Sequence, residues 1–136
     1  MAKLFNLQIL TPEREFFNDN VEAVTVMLPD GSATILANHT PLVAPLEVMD
    51  LKLKKPGGTW VEAFASEGFM EVRRDGVILF LQTCEWPEEI DARRAEEARV
   101  RAEESLRQKR SMAEYQQSKI DLARAMERLR VTKQRN

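Results

Sequence analysis

Every glycine and proline in this 136-residue chain lies at or before Pro87: all 5 glycines and all 6 prolines. The 49 residues from Glu88 to Asn136 contain neither breaker, and Tyr115 is their one aromatic. Such a chain cannot be built on one plan. Its first part is rich in turns, and its second reads as uninterrupted helix. Charge divides at the same place, with 7 basic and 12 acidic residues in 1–87 against 13 and 10 in 88–136. Pro87 disfavours a helical conformation at Trp86 and suits a helix start, so the boundary is placed at Trp86-Pro87-Glu88, between domains 1–86 and 87–136.

The first domain reads as all-β. Phe5, Leu7 and Ile9 share one face of an opening strand, and Val24, Val26 and Leu28 a face of another. Met49, Leu51 and Leu53 alternate with Asp50, Lys52 and Lys54, as where one sheet face meets water. Lys55-Pro56-Gly57-Gly58 turns the chain into Thr59–Ser66. Asp75-Gly76 is a hairpin signal between Phe69–Arg73 and Val77–Thr83. Val77 to Leu81 is apolar on both sides and is expected to be a central strand. Seven or more short strands in this length fit an antiparallel β-sandwich or flattened barrel.

The second domain reads as a two-helix antiparallel hairpin. Ile90, Ala95, Ala98, Ala102 and Leu106 form a narrow, alanine-rich stripe on the first helix. Tyr115, Ser118, Leu122, Ala125, Met126 and Leu129 recur on the second at helical spacing. The loop is expected at Gln108–Ala113 with Ser111 as N-cap, a continuous long helix being the alternative. An alanine stripe buries little area, worth a few kcal/mol at about 25 cal/mol per Å². A hairpin so loosely tied can detach and extend; a static hairpin that completes the fold is the competing reading.

Several function classes are disfavoured. With 20 basic and 22 acidic residues the chain lacks the cationic excess of a nucleic-acid binder. No run approaches the roughly 20 apolar residues of a spanning helix, and no signal-like region opens the chain, so a soluble cytoplasmic protein is expected. A single cysteine, Cys84, excludes an internal disulfide, and with His39 the one histidine a structural zinc site is not expected. No nucleophile–base pair is identifiable, and His39 reads as a turn or interface residue. Cys84, at the end of an apolar strand, reads as core packing, and Trp60 and Trp86 as core or interface anchors.

The order and spacing of five segments resemble the epsilon subunit of bacterial F-type ATP synthase over the whole chain. They are Leu7-Gln8-Ile9-Leu10-Thr11-Pro12, Asn38-His39-Thr40-Pro41-Leu42, Gly68-Phe69-Met70-Glu71-Val72, Glu88 to Ala95, and Arg124 to Leu129. The resemblance implies a non-catalytic rotor subunit of the central stalk in a proton- or sodium-translocating complex. It implies a place on the cytoplasmic face of the bacterial membrane, peripheral, with the chain monomeric when isolated. The sandwich would contact the gamma subunit and the c-ring, through Asp30, Gly31, His39, Thr40 and Pro41. The extended helices would restrain ATP hydrolysis at the alpha/beta catalytic head. Lys119, Arg124, Arg128, Arg130 and Lys133 would there meet an acidic segment of beta; a solvated helix face is the plainer reading of those charges. Around the histidine loop the chain departs from the family's usual glycine and proline, having Thr34, Ala37 and Asn38. A β-sandwich adaptor with a helical interaction tail is the alternative function.

No phosphate-cradling glycine loop followed by lysine is present. Ile90-Asp91-x-x-Arg94-Ala95 instead resembles the motif by which some bacterial epsilon subunits bind ATP as a regulatory ligand, with or without magnesium and with no cofactor required. Positions matching that wider site are Glu85, Ile90, Asp91, Arg94, Ala95, Arg101, Arg124 and Arg128. Arg94 and Arg101 are two turns apart, and Arg124 and Arg128 one. Folding the hairpin would bring the pairs together as a phosphate clamp. Asp91 is either a helix cap or a reader of the adenine edge, with Ile90 as an apolar wall. Alternatively, these arginines pair with Glu96, Glu97 and Glu127.

Overall fold

The computed structural model describes residues 2–108 and 111–135. They form two compact units, 1–85 and 86–136. The first contains β1 (Phe5–Leu10), β2 (Glu15–Val21), β3 (Ala23–Leu28), β4 (Gly31–Leu36) and β5 (Leu42–Leu46). It continues with β6 (Met49–Lys54), β7 (Trp60–Ala65), β8 (Gly68–Arg73), β9 (Gly76–Leu81) and the short β10 (Cys84–Glu85). The strands make two five-stranded sheets, ordered β2-β1-β9-β8-β5 and β10-β7-β6-β3-β4. As the alternation requires, Leu7, Ile9, Leu51, Leu53, Phe64, Met70 and Leu79 are wholly buried between them.

The doubly apolar β9 is the middle strand of its sheet. It pairs with β8 antiparallel and with β1 parallel, so the sandwich is not antiparallel throughout. Alternation reports which face a residue takes; the direction of a neighbouring strand is set by tertiary pairing. The β8–β9 loop is Arg74-Asp75 rather than Asp75-Gly76, because Gly76 already pairs with Arg73. Gly76 is needed for close approach: a Cβ there would lie 2.6 Å from the Asn6 carbonyl oxygen of β1. Where β7 and β9 leave for opposite sheets, buried Ser66 closes the corner. Its Oγ accepts from Thr83 N at 2.7 Å, and its own N donates to Thr83 O at 2.9 Å. Cys84 is buried as expected, whereas Trp60 is 47% exposed with the Lys54 ammonium 5.9 Å above its ring.

The second unit opens with a short 3-10 turn, Pro87–Glu89, followed by α1 (Ala92–Arg107) and α2 (Met112–Arg135). Ser111 is the N-cap of α2, its Oγ accepting from Glu114 N at 3.3 Å. The loop is shorter than expected, since Met112 and Ala113 are already helical; Lys109 and Arg110, within the expected loop, lie outside the described residues. The helices meet through small side chains, with Ala95, Ala102, Ser118 and Ala125 buried. Ser105 Oγ and Ser118 Oγ hydrogen-bond across the seam at 2.6 Å. Tyr115 and Met126, expected in the stripe, are instead 42% and 50% exposed. Alanine-sized contacts draw the helices too close for large residues at the centre, which are displaced to its edges. Val131, outside the expected stripe, is fully buried.

Candidate functional site

The start of α1 is built from two successive caps. Pro87 begins the 3-10 turn, and the Glu89 carboxylate accepts from Trp86 N at 2.8 Å. Ile90 is extended, with φ −84° and ψ 127°, and ends that turn. The Asp91 carboxylate then accepts from Arg94 N at 3.1 Å, and its backbone carbonyl accepts from Ala95 N at 3.0 Å to close the first turn of α1. The capping role left open for Asp91 is therefore the one its geometry shows, with its carboxylate at the electropositive end of the helix.

Arg94 and Arg101 are exposed, and Arg124 and Arg128 half-buried. The Ser105–Ser118 hydrogen bond sets the antiparallel register, and so puts Arg128 level with the Arg94–Ala95 turn. Stepping about 100° per residue from buried Ala95 and Ala125 places all four guanidinium-bearing positions on one flank of the seam. Among the described residues Arg94 and Arg101 have no ion-pair partner. Three glutamates of the hairpin pair with other arginines: Glu97 with Arg93 at 3.3 Å, Glu96 with Arg99, and Glu127 with Arg130 at 3.1 Å. Glu85, matched to the same site, ends β10 opposite Phe64 and belongs to the first unit.

The opposite flank of the hairpin is an open groove of about 650 Å³ lined by Glu96, Arg99, Met126, Leu129, Arg130 and Lys133. Arg99 bridges Glu96 and Glu103, the latter at 2.6 Å, and these bonds hold the Glu96 carboxyl below its ordinary range and raise Arg99. Burial pushes the Glu127 carboxyl up, and the Arg130 guanidinium opposes this only in part. The five cations read as one inhibitory surface divide between the flanks: Arg124 and Arg128 on one, Lys119, Arg130 and Lys133 on the other. Lys119 lies 5.7 Å over the Tyr115 ring. The groove and the serine pair escaped the sequence reading. Their trace was the seven-residue recurrence of Ser111, Ser118, Ala125 and Thr132.

In the sandwich, Asp30 lies in the β3–β4 turn and Gly31 opens β4, whereas His39, Thr40 and Pro41 follow its other end. The length of β4, about 20 Å at 3.3 Å per residue, separates the two sets. Asn38 has φ 66°, the left-handed conformation that asparagine tolerates better than most residues and for which glycine is the usual choice. His39 Nδ1 donates to Thr40 O at 2.7 Å, and the ring is exposed.

A ten-stranded sandwich followed by a charged helical pair defines a two-module class, and comparison places this chain within it. Residues 4–87 match the beta-sandwich domain of the ATP synthase delta/epsilon chain, and residues 88–133 its long alpha-helix domain. The ATP synthase epsilon chain of Caldanaerobacter subterraneus subsp. tengcongensis is 48% identical over 132 residues, covering 96% of this chain and 95% of that one. That of Ruminiclostridium cellulolyticum is 44% identical, covering 99% of each. The chain belongs to the ATP synthase epsilon-chain family. Its fold is also similar to a chain of the Euglena gracilis mitochondrial ATP synthase, with TM-score 0.77 at 23% identity over 90% of this chain and 78% of the other. A chain of the Tetrahymena thermophila mitochondrial ATP synthase central stalk and c-ring gives TM-score 0.62 at 13% identity, over 96% and 98%.

Proposed function

We propose that this chain is a non-catalytic rotor subunit of the central stalk, whose hairpin restrains ATP hydrolysis and is held folded by bound ATP. The sandwich joins the gamma subunit and the c-ring, with Asp30 and Gly31 at one end and His39, Thr40 and Pro41 at the other available as contacts. The complex lies on the cytoplasmic face of the membrane, and the chain reaches the bilayer only through it; no helix among the described residues is long and apolar enough to cross. When extended, the helices present Lys119, Arg124, Arg128, Arg130 and Lys133 to an acidic segment of the beta subunit in the alpha/beta head.

The observation that carries the nucleotide reading is the placement of Arg94, Arg101, Arg124 and Arg128 on one flank of the closed hairpin, beside the Asp91 cap. Guanidinium groups bind phosphate oxygens through paired N–H donors. Two from each helix make a clamp that exists only while the helices are together. Ile90 supplies an apolar wall, and the Asp91 carboxylate oxygen not engaged by Arg94 N faces the nucleobase edge. Binding to the folded form alone stabilises it by RT ln(1 + [L]/Kd), about 2.7 kcal/mol at a hundredfold excess over Kd. That is comparable to what an alanine seam contributes, so the ligand decides the posture.

Titration of the full chain with ATP, followed by calorimetry or by the fluorescence of Trp60 and Trp86, tests this. A single saturable site that Arg94→Ala weakens at least tenfold is expected. No signal at millimolar ATP, or an unaltered signal in the variant, refutes the site.

A further inference from the structure

The groove on the hairpin's other flank has no part in that reading. Helix α2 carries two rows of side chains. Ser118, Ala125 and Thr132, at seven-residue steps, face α1, the first two buried and the third half-buried. The second row is Met112, Tyr115, Lys119, Leu122, Met126, Leu129 and Lys133, at alternating steps of three and four, the spacing of a coiled-coil seam. Leu122 and Leu129 are half-buried, but Met112, Tyr115 and Met126 are 71%, 42% and 50% exposed. This row runs about 30 Å along α2 at 1.5 Å per residue, and its C-terminal half opens into the groove beside α1. A heptad row left open in the angle between two helices has the geometry that receives a third.

Charge specifies the third helix. On the α1 rim a single guanidinium, Arg99, bonds both Glu96 and Glu103 and offsets one of their two charges. On the α2 rim Lys119, Arg130 and Lys133 are exposed; Arg130 pairs with Glu127, and Lys133 acts on Glu96 across the groove. Three cations against one carboxylate among the lining residues Glu96, Arg99, Arg130 and Lys133 nevertheless leave the groove net positive. We propose that the groove seats an amphipathic helix of a partner protein, apolar where it meets Leu122, Met126 and Leu129 and acidic along the side that meets Lys119, Arg130 and Lys133. This contact needs α1 and α2 side by side, so it differs from the inhibitory contact of the extended helices. It uses none of the residues assigned to the nucleotide, although a ligand that holds the hairpin closed would also favour it.

The test uses the full chain with methyl-labelled methionine and leucine, and as probe a synthetic helix of about three heptads with leucine at the seam positions and glutamate on its flanks. A peptide with lysine in place of glutamate is the control. Saturable shifts of the Met126, Leu122 and Leu129 methyls by the acidic peptide alone, weakened by added salt, are expected. Met126→Asp should weaken binding at least tenfold. The paired change Arg130→Glu and Lys133→Glu, at exposed positions that leave the helix intact, should reverse the preference between peptides. Equal binding of both peptides, shifts outside the groove, or no saturable shift would overturn the proposal. So would a doubling of mass with the same methyls perturbed in the absence of peptide, which would assign the groove to a second copy of this chain.

Discussion

Gly68 and Gly76 show how one missing side chain sets the β-sandwich. A Cβ at Gly68 would lie 1.9 Å from the Phe80 carbonyl oxygen, with no flexible side chain able to yield. Backbone would have to separate, so Gly68→Ala should cost more than about 3 kcal/mol, read as a fall in the denaturant midpoint of the first unit. An unchanged midpoint would show that the β8–β9 pair tolerates the displacement. Two carboxylates of the hairpin make opposite predictions about pH. Glu96 is depressed by hydrogen bonds from Arg99, so its stabilising contribution is complete above the unfolded carboxylate range and is lost as pH falls through its lower folded value. Glu127 is raised by burial, so its ionised form opposes folding at neutral pH, and protonation relieves this as pH falls from its folded value toward about 4.3. Carboxyl-carbon NMR should find Glu127 titrating above Glu96. Oε2 of Glu127 is buried and has no hydrogen-bond partner among the described residues, so Glu127→Gln should raise stability at pH 7 by on the order of 0.5 kcal/mol. The reverse titration order would remove the basis for both statements.

At the scale of elements, the contrast is between a sheet pair and a helix pair. Leu7, Ile9, Phe64 and Leu79 each bury a large apolar side chain, worth roughly 1.5–3 kcal/mol apiece. The helical seam buries Ala95, Ala102, Ser118 and Ala125, and its leucines stay partly wet. The Ser105–Ser118 hydrogen bond adds register more than stability, since a neutral bond of this kind is worth about 1 kcal/mol net. Amides of α1 and α2 are therefore expected to exchange with solvent at least a hundredfold faster than those of β9, and to slow when ATP is added. Equal protection of helices and central strand, with and without ATP, would leave the hairpin a rigid extension. Small residues at seven-residue intervals serve both postures: they let the helices close tightly, yet leave little apolar area to be exposed on opening.

For the molecule as a whole, the two units divide the labour. The first holds its core between its own two sheets. Ending the chain after Pro87 should leave the sandwich folded and able to join the complex, while the complex hydrolyses ATP several times faster. Hydrolysis measured on the assembled complex with full-length and shortened chains checks this. An unchanged rate would mean that the helices are not a brake; failed assembly would mean that they help bind the stalk.

The division of the chain, the strand faces and the alanine seam were legible from the residues themselves, because glycine, proline and apolar periodicity act locally. Asp91 and Ser111 were recognisable as caps for the same reason: a cap reaches only two or three residues along the chain. The parallel β1–β9 pair, the displacement of Tyr115 and Met126 to the seam's edge, and the groove beside them were decided only in three dimensions. Each depends on which distant segment lies alongside, and periodicity carries no information about that. The arginines could be counted and spaced from the sequence, but that four share one flank while Lys119, Arg130 and Lys133 take the other follows from which residues of each helix, Ala95 and Ala125 among them, turn into the seam.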